Sequence, residues 1–263
     1  MKKFYLSILI LFVTYTATFA QLGEIGGFVG GSYYLGDINP SKQFSQTQIA
    51  EGLFFRYNFD SRLALRLSAY RGKLKSDDKI VKYNEQRGLK FQSKINEASL
   101  QFEFNFFRYY IGSSINYYTP YIFGGISYFT FKPEADGYDL RALGTEGQNT
   151  PTGDKKYSLN GISIPFGIGV KYSLSNKFGL GLEWGLRKTF TDYIDDVSKT
   201  YYLDGNNIDP NIPEQYYSDP SRLNKPDMQR GNSKNNDWYS FAGISVSYKI
   251  NLRCYRGCRD FPD

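Results

Sequence analysis

Apolar and polar residues alternate with period two in eight segments of the chain, the signature of strands with two unlike faces. The clearest runs from 178 to 190. Phe178, Leu180, Leu182, Trp184, Leu186, Lys188 and Phe190 share one face, and Gly179, Gly181, Glu183, Gly185, Arg187 and Thr189 share the other. Near the end of the chain, Trp238, Ala242, Ile244, Val246, Tyr248, Ile250 and Leu252 oppose Gly243, Ser245, Ser247, Lys249 and Asn251. Ser240 is the only polar member of that apolar set. Ala98, Leu100, Phe102, Phe104 and Phe106 oppose Glu97, Ser99, Gln101, Glu103 and Asn105. Ile162, Ile164, Phe166, Ile168, Val170 and Tyr172 oppose Ser163, Pro165, Gly167, Gly169 and Lys171. Less regular alternation covers 25–35, 49–59 and 63–69, while 121–131 is aromatic on both faces and its orientation stays open.

The runs are about 11 to 15 residues long. A tilted membrane strand needs about 9–11 residues, and a strand of a soluble protein has about 5 or 6. Connections of two lengths alternate. The segments 37–47, 74–90, 132–158 and 191–235 are long, whereas Asp60-Ser61-Arg62, 107–117 and Ser175-Asn176-Lys177 are short. Short periplasmic turns and long external loops are the pattern of an up-and-down bacterial barrel. The expectation is an all-β protein, an eight-stranded antiparallel up-and-down transmembrane β-barrel of outer-membrane type, with long extracellular loops and periplasmic termini.

Closure follows from the solvent. In hydrocarbon every backbone N–H and C=O needs an internal partner, so an open sheet edge is excluded. An eight-stranded barrel is just wide enough for side chains to fill it. The polar faces carry Glu24, Arg56, Arg66, Glu97, Glu103, Lys171, Glu183 and Arg187. Both signs are present, which predicts a plug of charge pairs in place of a wide pore. A soluble sandwich would place these charges in its core or on a solvated face.

Targeting fits this picture. Lys2 and Lys3 precede an apolar run from 4 to 13, and Thr18 and Ala20 are small residues at a cleavage site. Residues 1–20 therefore read as a signal peptide cleaved before Gln21, 21–252 as the barrel, and 253–263 as a periplasmic tail. No later stretch has eighteen apolar residues in a row. The net charge of +6 is spread along the chain and forms no basic block, so no nucleic-acid partner is expected. Abundant aromatics, 24 Tyr and 21 Phe, suit strands and interfacial girdles.

Candidate chemistry is sparse. The chain contains no histidine. That excludes Ser–His and Asp–His activation, on which the familiar outer-membrane barrel enzymes depend, and it excludes a Cys/His zinc site. Carboxylates are plentiful, but nothing singles out a catalytic pair. Asp192, Asp195 and Asp196 offer hard oxygens for Ca²⁺ but lack the Gly and terminal Glu of an EF-hand loop, so a solvated or hydrogen-bonded rim is the preferred reading. No enzyme activity, metal or cofactor is expected. Cys254 and Cys258 would meet an oxidising compartment, where a bridge within the chain and a bridge to a partner chain are both open.

Several stretches are more specific than a generic barrel. These are Gly36-Asp37-Ile38-Asn39, Phe131-Lys132-Pro133-Glu134-Ala135, Leu143-Gly144-Thr145-Glu146-Gly147-Gln148, the run 183–198, and Asn236-Asp237-Trp238-Tyr239. Within them Gly144, Thr145, Glu146, Gly147, Arg187, Lys188, Thr189, Asp192, Asp195 and Asp196 form the motif. From about Gly23 to Leu252 the chain resembles the PorG-like outer-membrane proteins of the type IX secretion and gliding machinery. Gly243, Val246 and Tyr248 also resemble the signal read by barrel-insertion machinery. The resemblance implies a non-enzymatic part of a secretion apparatus, with lipid around it and a periplasmic ring lipoprotein and its soluble partner below. The turn 108–117 and the tail 253–263 would then face the ring. A stand-alone narrow channel and a surface-binding barrel are the competing functions.

Overall fold

The computed structural model describes residues 22–151, 153 and 155–251. The expected signal peptide and the tail with Cys254 and Cys258 lie outside the described residues. Eight long strands build one closed wall: β1 (Leu22–Leu35), β2 (Gln48–Asn58), β3 (Leu63–Asp77), β4 (Lys90–Asn105), β5 (Tyr118–Ala135), β6 (Asn160–Ser173), β7 (Phe178–Thr189) and β8 (Trp238–Asn251). Each pairs antiparallel with its neighbours in sequence, and β8 pairs with β1 from Asn251↔Leu22 to Trp238↔Leu35. No wall strand has a free edge, as a lipid-exposed sheet requires. A two-residue strand, Tyr138–Asp139, extends the pairing of β5 into the following loop.

Alternation sets the two faces. Val29, Leu53, Leu67, Phe102, Ile126, Ile168, Leu182 and Ile244 stand exposed around the outer wall. Only lipid can solvate such a band, so the fold is a transmembrane barrel of outer-membrane type. Near the short turns the band ends in aromatic pairs: Tyr57–Phe59, Phe104–Phe106, Phe107–Tyr118, Tyr117–Tyr172 and Phe178–Tyr248, with centroids 5.1–5.7 Å apart. The turn after β4 also seals this end. Tyr109 and Ile111 are buried beneath the barrel, and the Lys249 ammonium donates to the Ile111 carbonyl at 3.0 Å.

The structure corrects three strand boundaries and settles the orientation left open for 121–131. β3 continues to Asp77, β4 already starts at Lys90, and β5 continues to Ala135, so 74–77, 90 and 132–135 are wall and not loop. The reason is a reversal of phase. Toward the short turns the apolar residues of these strands point outward. Beyond Arg71, Asn96 and Thr130 they point inward, as with Leu74, Phe91, Ile95 and Phe131, while Lys73, Lys94 and Lys132 point out. Water replaces lipid outside at that level, and the interior turns from ionic to apolar. β5 crosses the reversal, which explains its aromatic character on both faces: Tyr121, Phe123, Phe129 and Phe131 face in, and Ile122, Ile126 and Tyr128 face out.

The apolar core therefore occupies the long-loop half of the barrel and continues into the loops. Phe28, Tyr70, Leu74, Phe91, Ile95, Phe129, Tyr239 and Phe241 meet Ile38, Leu89, Leu140, Ile194 and Val197 from above. Past Ile38, the loop after β1 bends over the outer wall. Phe44 packs on Tyr33 and Trp184, and the Gln43 amide donates to the Ser240 hydroxyl at 2.6 Å, covering the one polar break in that outward face of β8.

Candidate functional site

All eight charges read as lumen residues are buried inside the wall. They form two groups. In the larger, Arg56 and Arg66 are direct cross-strand partners pointing inward, a like-charge contact that is unfavourable alone. Glu103 reaches both, at 2.8 Å from Arg56 Nε and 3.1 Å from Arg66 Nε, and contacts Lys171 Nζ at 2.5 Å. Glu24 adds a contact to Arg56 at 2.5 Å, and Glu183 one to Arg66 at 2.6 Å. The Tyr70 and Tyr121 hydroxyls donate to Glu183 at 3.1 and 2.7 Å. In the smaller group Arg187 meets Glu97 at 3.2 Å, and the Tyr239 hydroxyl donates to the same Glu97 oxygen at 2.7 Å. Four carboxylates balance four cations.

Aromatic rings and missing side chains make this packing possible. The Arg66 guanidinium lies 5.1 Å from the Phe123 ring centre, and the Lys171 ammonium 4.5 Å from that of Tyr121. Gly185 faces the lumen between Phe123 and Arg187. A methyl group there would sit 2.6 Å from Phe123 and 2.8 Å from Arg187 Nη1. The interior is a solid plug, with charges toward the short turns and apolar side chains toward the loops.

Above the plug, the four long loops fold into one cap that joins motif stretches far apart in sequence. Gly144, at φ +71°, closes the one-turn helix Leu140–Leu143 and donates its N–H to Leu140. That turn brings Thr145 and Glu146 onto the loop after β7. The Thr145 hydroxyl donates to Asp196, and the Tyr157 hydroxyl to its other oxygen at 2.6 Å. Glu146 accepts from the Ser198 and Lys199 backbone N–H groups at 2.8 and 3.0 Å and from Arg230 at 3.0 Å. Arg230 also donates to the carbonyls of Asp196, Tyr217 and Ser218. Gly147 adopts φ +82° against Tyr202. Thr189 ties β7 to the Asp237 carbonyl at 2.5 Å, whereas Lys188 points outward over Trp238. The motif thus divides: Arg187 belongs to the plug, Lys188 to the outer wall, and the others to the cap.

The aspartates are not a solvated loop mouth. Asp195 and Asp196 are 1% exposed and Asp192 is 7% exposed. The Asp195 and Asp196 carboxylates take different partners, both Asp192 oxygens are buried without a hydrogen-bond partner, and among the described residues no group of three or more Asp, Glu, Cys or His is placed to hold a metal ion. Asp195 instead pairs with Asp237 through a residue the alternation pattern did not single out. The Tyr34 hydroxyl lies 2.5 Å from Asp195 Oδ2 and 2.8 Å from Asp237 Oδ1. A phenol has one proton, so the second short contact requires a proton on one of the two carboxyls. Gly36 makes the approach possible, since a Cβ there would lie 2.0 Å from Asp237 Oδ1.

Burial raises the Asp195 and Asp237 carboxyls well above the usual range, and repulsion from Asp37 and Asp195, respectively, adds to it. Burial pushes Asp192 up to about 8 and Asp196 up to about 6, the latter against the pull of Arg230. The pair can store a proton.

Sequence reasoning missed Tyr34, Arg87 and Arg230. Tyr34 looks like one more strand aromatic, and lone loop arginines carry no periodic signal. Arg87 donates twice to Asp78 at 2.8 Å and also to the carbonyls of Asp37 and Arg230. A polar cleft of about 340 Å³ opens beside both arginines, but their donors are already engaged within the cap. Arg230→Ala should therefore loosen the cap and not empty a ligand site. Removing one partner of a buried pair costs about 3–5 kcal/mol. Limited proteolysis should cut 190–237 much faster in the variant, with the heat resistance of the barrel unchanged; equal cutting rates would contradict this assignment.

The tyrosines of 191–235 pack mainly on the neighbouring loop and not on each other. Tyr193 stacks on Tyr157 at 4.4 Å, and Tyr217 contacts Tyr138 at 5.5 Å. The Tyr216–Tyr217 contact at 5.1 Å is internal to the segment.

No curated protein matches the chain. Among solved structures, similar chains include Ail, the attachment invasion locus protein of Yersinia pestis, in complex with the heparin analogue sucrose octasulfate. It shows 9% identity and a TM-score of 0.45, over 88% of this chain and 100% of that one. Neisserial surface protein A shows 10% identity and a TM-score of 0.44, over 88% and 96%. The N-terminal β-barrel domain of Pseudomonas aeruginosa OprF shows 13% identity and a TM-score of 0.40, over 87% and 97%. A family model covers nearly the whole sequence, residues 2–258, and the chain belongs to that family, the domain of unknown function DUF6089.

Proposed function

We propose that the protein is a non-enzymatic outer-membrane component of a type IX-like protein secretion machine, acting through its surfaces and not through its lumen. The observation that carries this reading is the plug. Interlocked Glu24, Arg56, Glu103, Lys171, Arg66 and Glu183 fill the section a solute would cross, and the cap closes the loop end. The long loops lie outside the cell and the short turns in the periplasm, following the usual sorting of barrel connections. The PorG-like stretches support the choice of machine, and much of that motif builds the cap. In this reading the turn 108–117 and the tail 253–263 contact a periplasmic ring lipoprotein and its soluble partner.

Affinity purification of the tagged full chain from detergent extract tests the proposal. Co-recovery of a periplasmic lipoprotein ring is expected. An intact barrel that repeatedly comes out alone would sink it. A surface-binding role is the second reading, favoured by the ordered cap with its polar cleft. Deleting 199–234 separates the two: lost adhesion with normal secretion would move the function to the cap. In planar bilayers the wild type should show no steady conductance, and a stable open channel would revive the transport reading.

A further inference from the structure

Three lysines from adjacent strands stand side by side on the outer wall. Lys94 on β4 is the direct cross-strand partner of Lys73 on β3 and of Lys132 on β5, and all three are exposed. Like charges directly opposed destabilise a sheet. Lys132 is offset by Glu134 at 2.8 Å and Asp139 at 3.5 Å. Among the described residues neither Lys73 nor Lys94 forms an ion pair. Arg71 lies next along β3, with Glu51 as its partner on β2.

The row has a fixed place relative to lipid. It lies just past the phase reversal, where the outward residues of β3, β4 and β5 change from apolar to basic. Immediately on the lipid side the wall is hollow. Ala69 and Ala98 are cross-strand partners with small side chains, flanked by Leu53 and Tyr128. The groove over them measures about 840 Å³, and its polar end is formed by Arg71, Asn96, Thr130 and Glu51. That volume falls in the usual range for ligand sites, about 300–1,000 Å³. Hydrocarbon fits the floor, and an anion fits the lysines beyond its end.

We propose that this wall holds a phosphorylated lipid of the surrounding leaflet, with its phosphate on Lys73 and Lys94 and an acyl chain in the Ala69–Ala98 groove. The charge complementarity is local. Across the rest of the outer wall no comparable lysine row occurs among the described residues. Lysine suits this task because its ammonium is a mobile point charge that follows a phosphate in a fluid leaflet. The lipid would relieve the lysine repulsion and shield small side chains that fill the belt poorly. The inference rests on the outer-membrane reading but not on the secretion machine.

Native mass spectrometry of the full chain in neutral detergent tests the proposal, with diphosphorylated lipid A, phosphatidylcholine and inorganic phosphate as separate probes. One lipid A per barrel should be retained in preference to phosphatidylcholine, and salt should weaken it. The triple variant K73Q/K94Q/K132Q should reduce lipid A retention at least tenfold. A69F/A98F, which fills the groove and keeps the lysines, should also reduce it. A heat-dependent shift in gel migration verifies folding for each variant. Equal retention of the two lipids, no effect of the triple variant, no effect of groove filling, or inorganic phosphate binding as well as lipid A would each overturn the proposal. Failure to recover machine partners leaves these results untouched, whereas a chain soluble without detergent would remove the membrane reading itself.

Discussion

Replacing Glu103 by alanine is expected to destabilise the barrel by about 3–5 kcal/mol, the usual cost of leaving buried charge unpaired. Glu103 is fully buried and contacts Arg56, Arg66 and Lys171. Its loss leaves a surplus of cations inside the plug, and Arg56 and Arg66 remain locked side by side by the register of β2 and β3. Neither arginine can shed its proton. The measurement is the denaturation midpoint of the folded form in micelles, followed by its heat-dependent gel shift. Lys171→Met added to Glu103→Gln should recover part of the loss, because it restores neutrality at similar volume. Glu134→Ala is the control. It breaks the Lys132 pair on the exposed outer wall, and such pairs contribute at most about 1 kcal/mol. If Glu103→Ala unfolds no earlier than Glu134→Ala, the plug is filling and not a determinant of stability.

The cap should be tightest in acid and loosen as pH rises from about 4 toward 8. Asp192, Asp195, Asp196 and Asp237 all hold their protons more strongly in the folded cap than in an unfolded loop, where aspartate titrates near 4. The folded state therefore carries extra protons in this window, and stability falls with increasing pH. The stabilisation is complete below the unfolded value and is lost progressively through about 6 for Asp196 and about 8 for Asp192. Arg87, Arg230, Asp37 and Glu146 face the cluster. The arginines stay charged throughout and limit the effect, whereas Asp37 and Glu146 add repulsion. Hydrogen exchange across 190–237 should accelerate between pH 5 and pH 8, with exchange in the wall strands following only intrinsic chemistry. Asp237→Asn keeps a neutral partner for Tyr34 but removes the titration, so its profile should be flatter. A cap equally protected at both values, after intrinsic correction, would show that the carboxyls ionise without consequence.

How legible these features were depended on how local their causes are. Along β7, one sequence pattern fixed both faces because lipid and lumen act on successive residues. The same logic identified the eight plug residues by type, since a charge on an inward face has nowhere else to go. The pairing was not legible. Glu103 meets Lys171 across 68 positions, and Glu183 meets Arg66 across 117. Such partners depend on barrel shear and on which walls face each other.

The cap was the least legible part. Its motif could be quoted, but not the meeting of Thr145 with Asp196 or of Tyr34 with Asp195 and Asp237. No periodicity encodes loop-to-loop contacts. The aspartates read as a rim either solvated or hydrogen-bonded, and only packing against Ile194, Val197 and Tyr157 decides for the water-free alternative.

The sequence by itself determined the number of strands, their order, the alternation of short and long connections, and, on every strand but β5, the face given to lipid. Those follow from a period of two and from the need of every backbone group for a partner. Only the tertiary structure decided where the lipid stops. At Arg71, Asn96 and Thr130 the wall continues unbroken while its apolar side changes from out to in. The backbone is the same strand above and below; what differs is the medium on either side, and that is set by the assembled cylinder and its cap, not by neighbours in the chain.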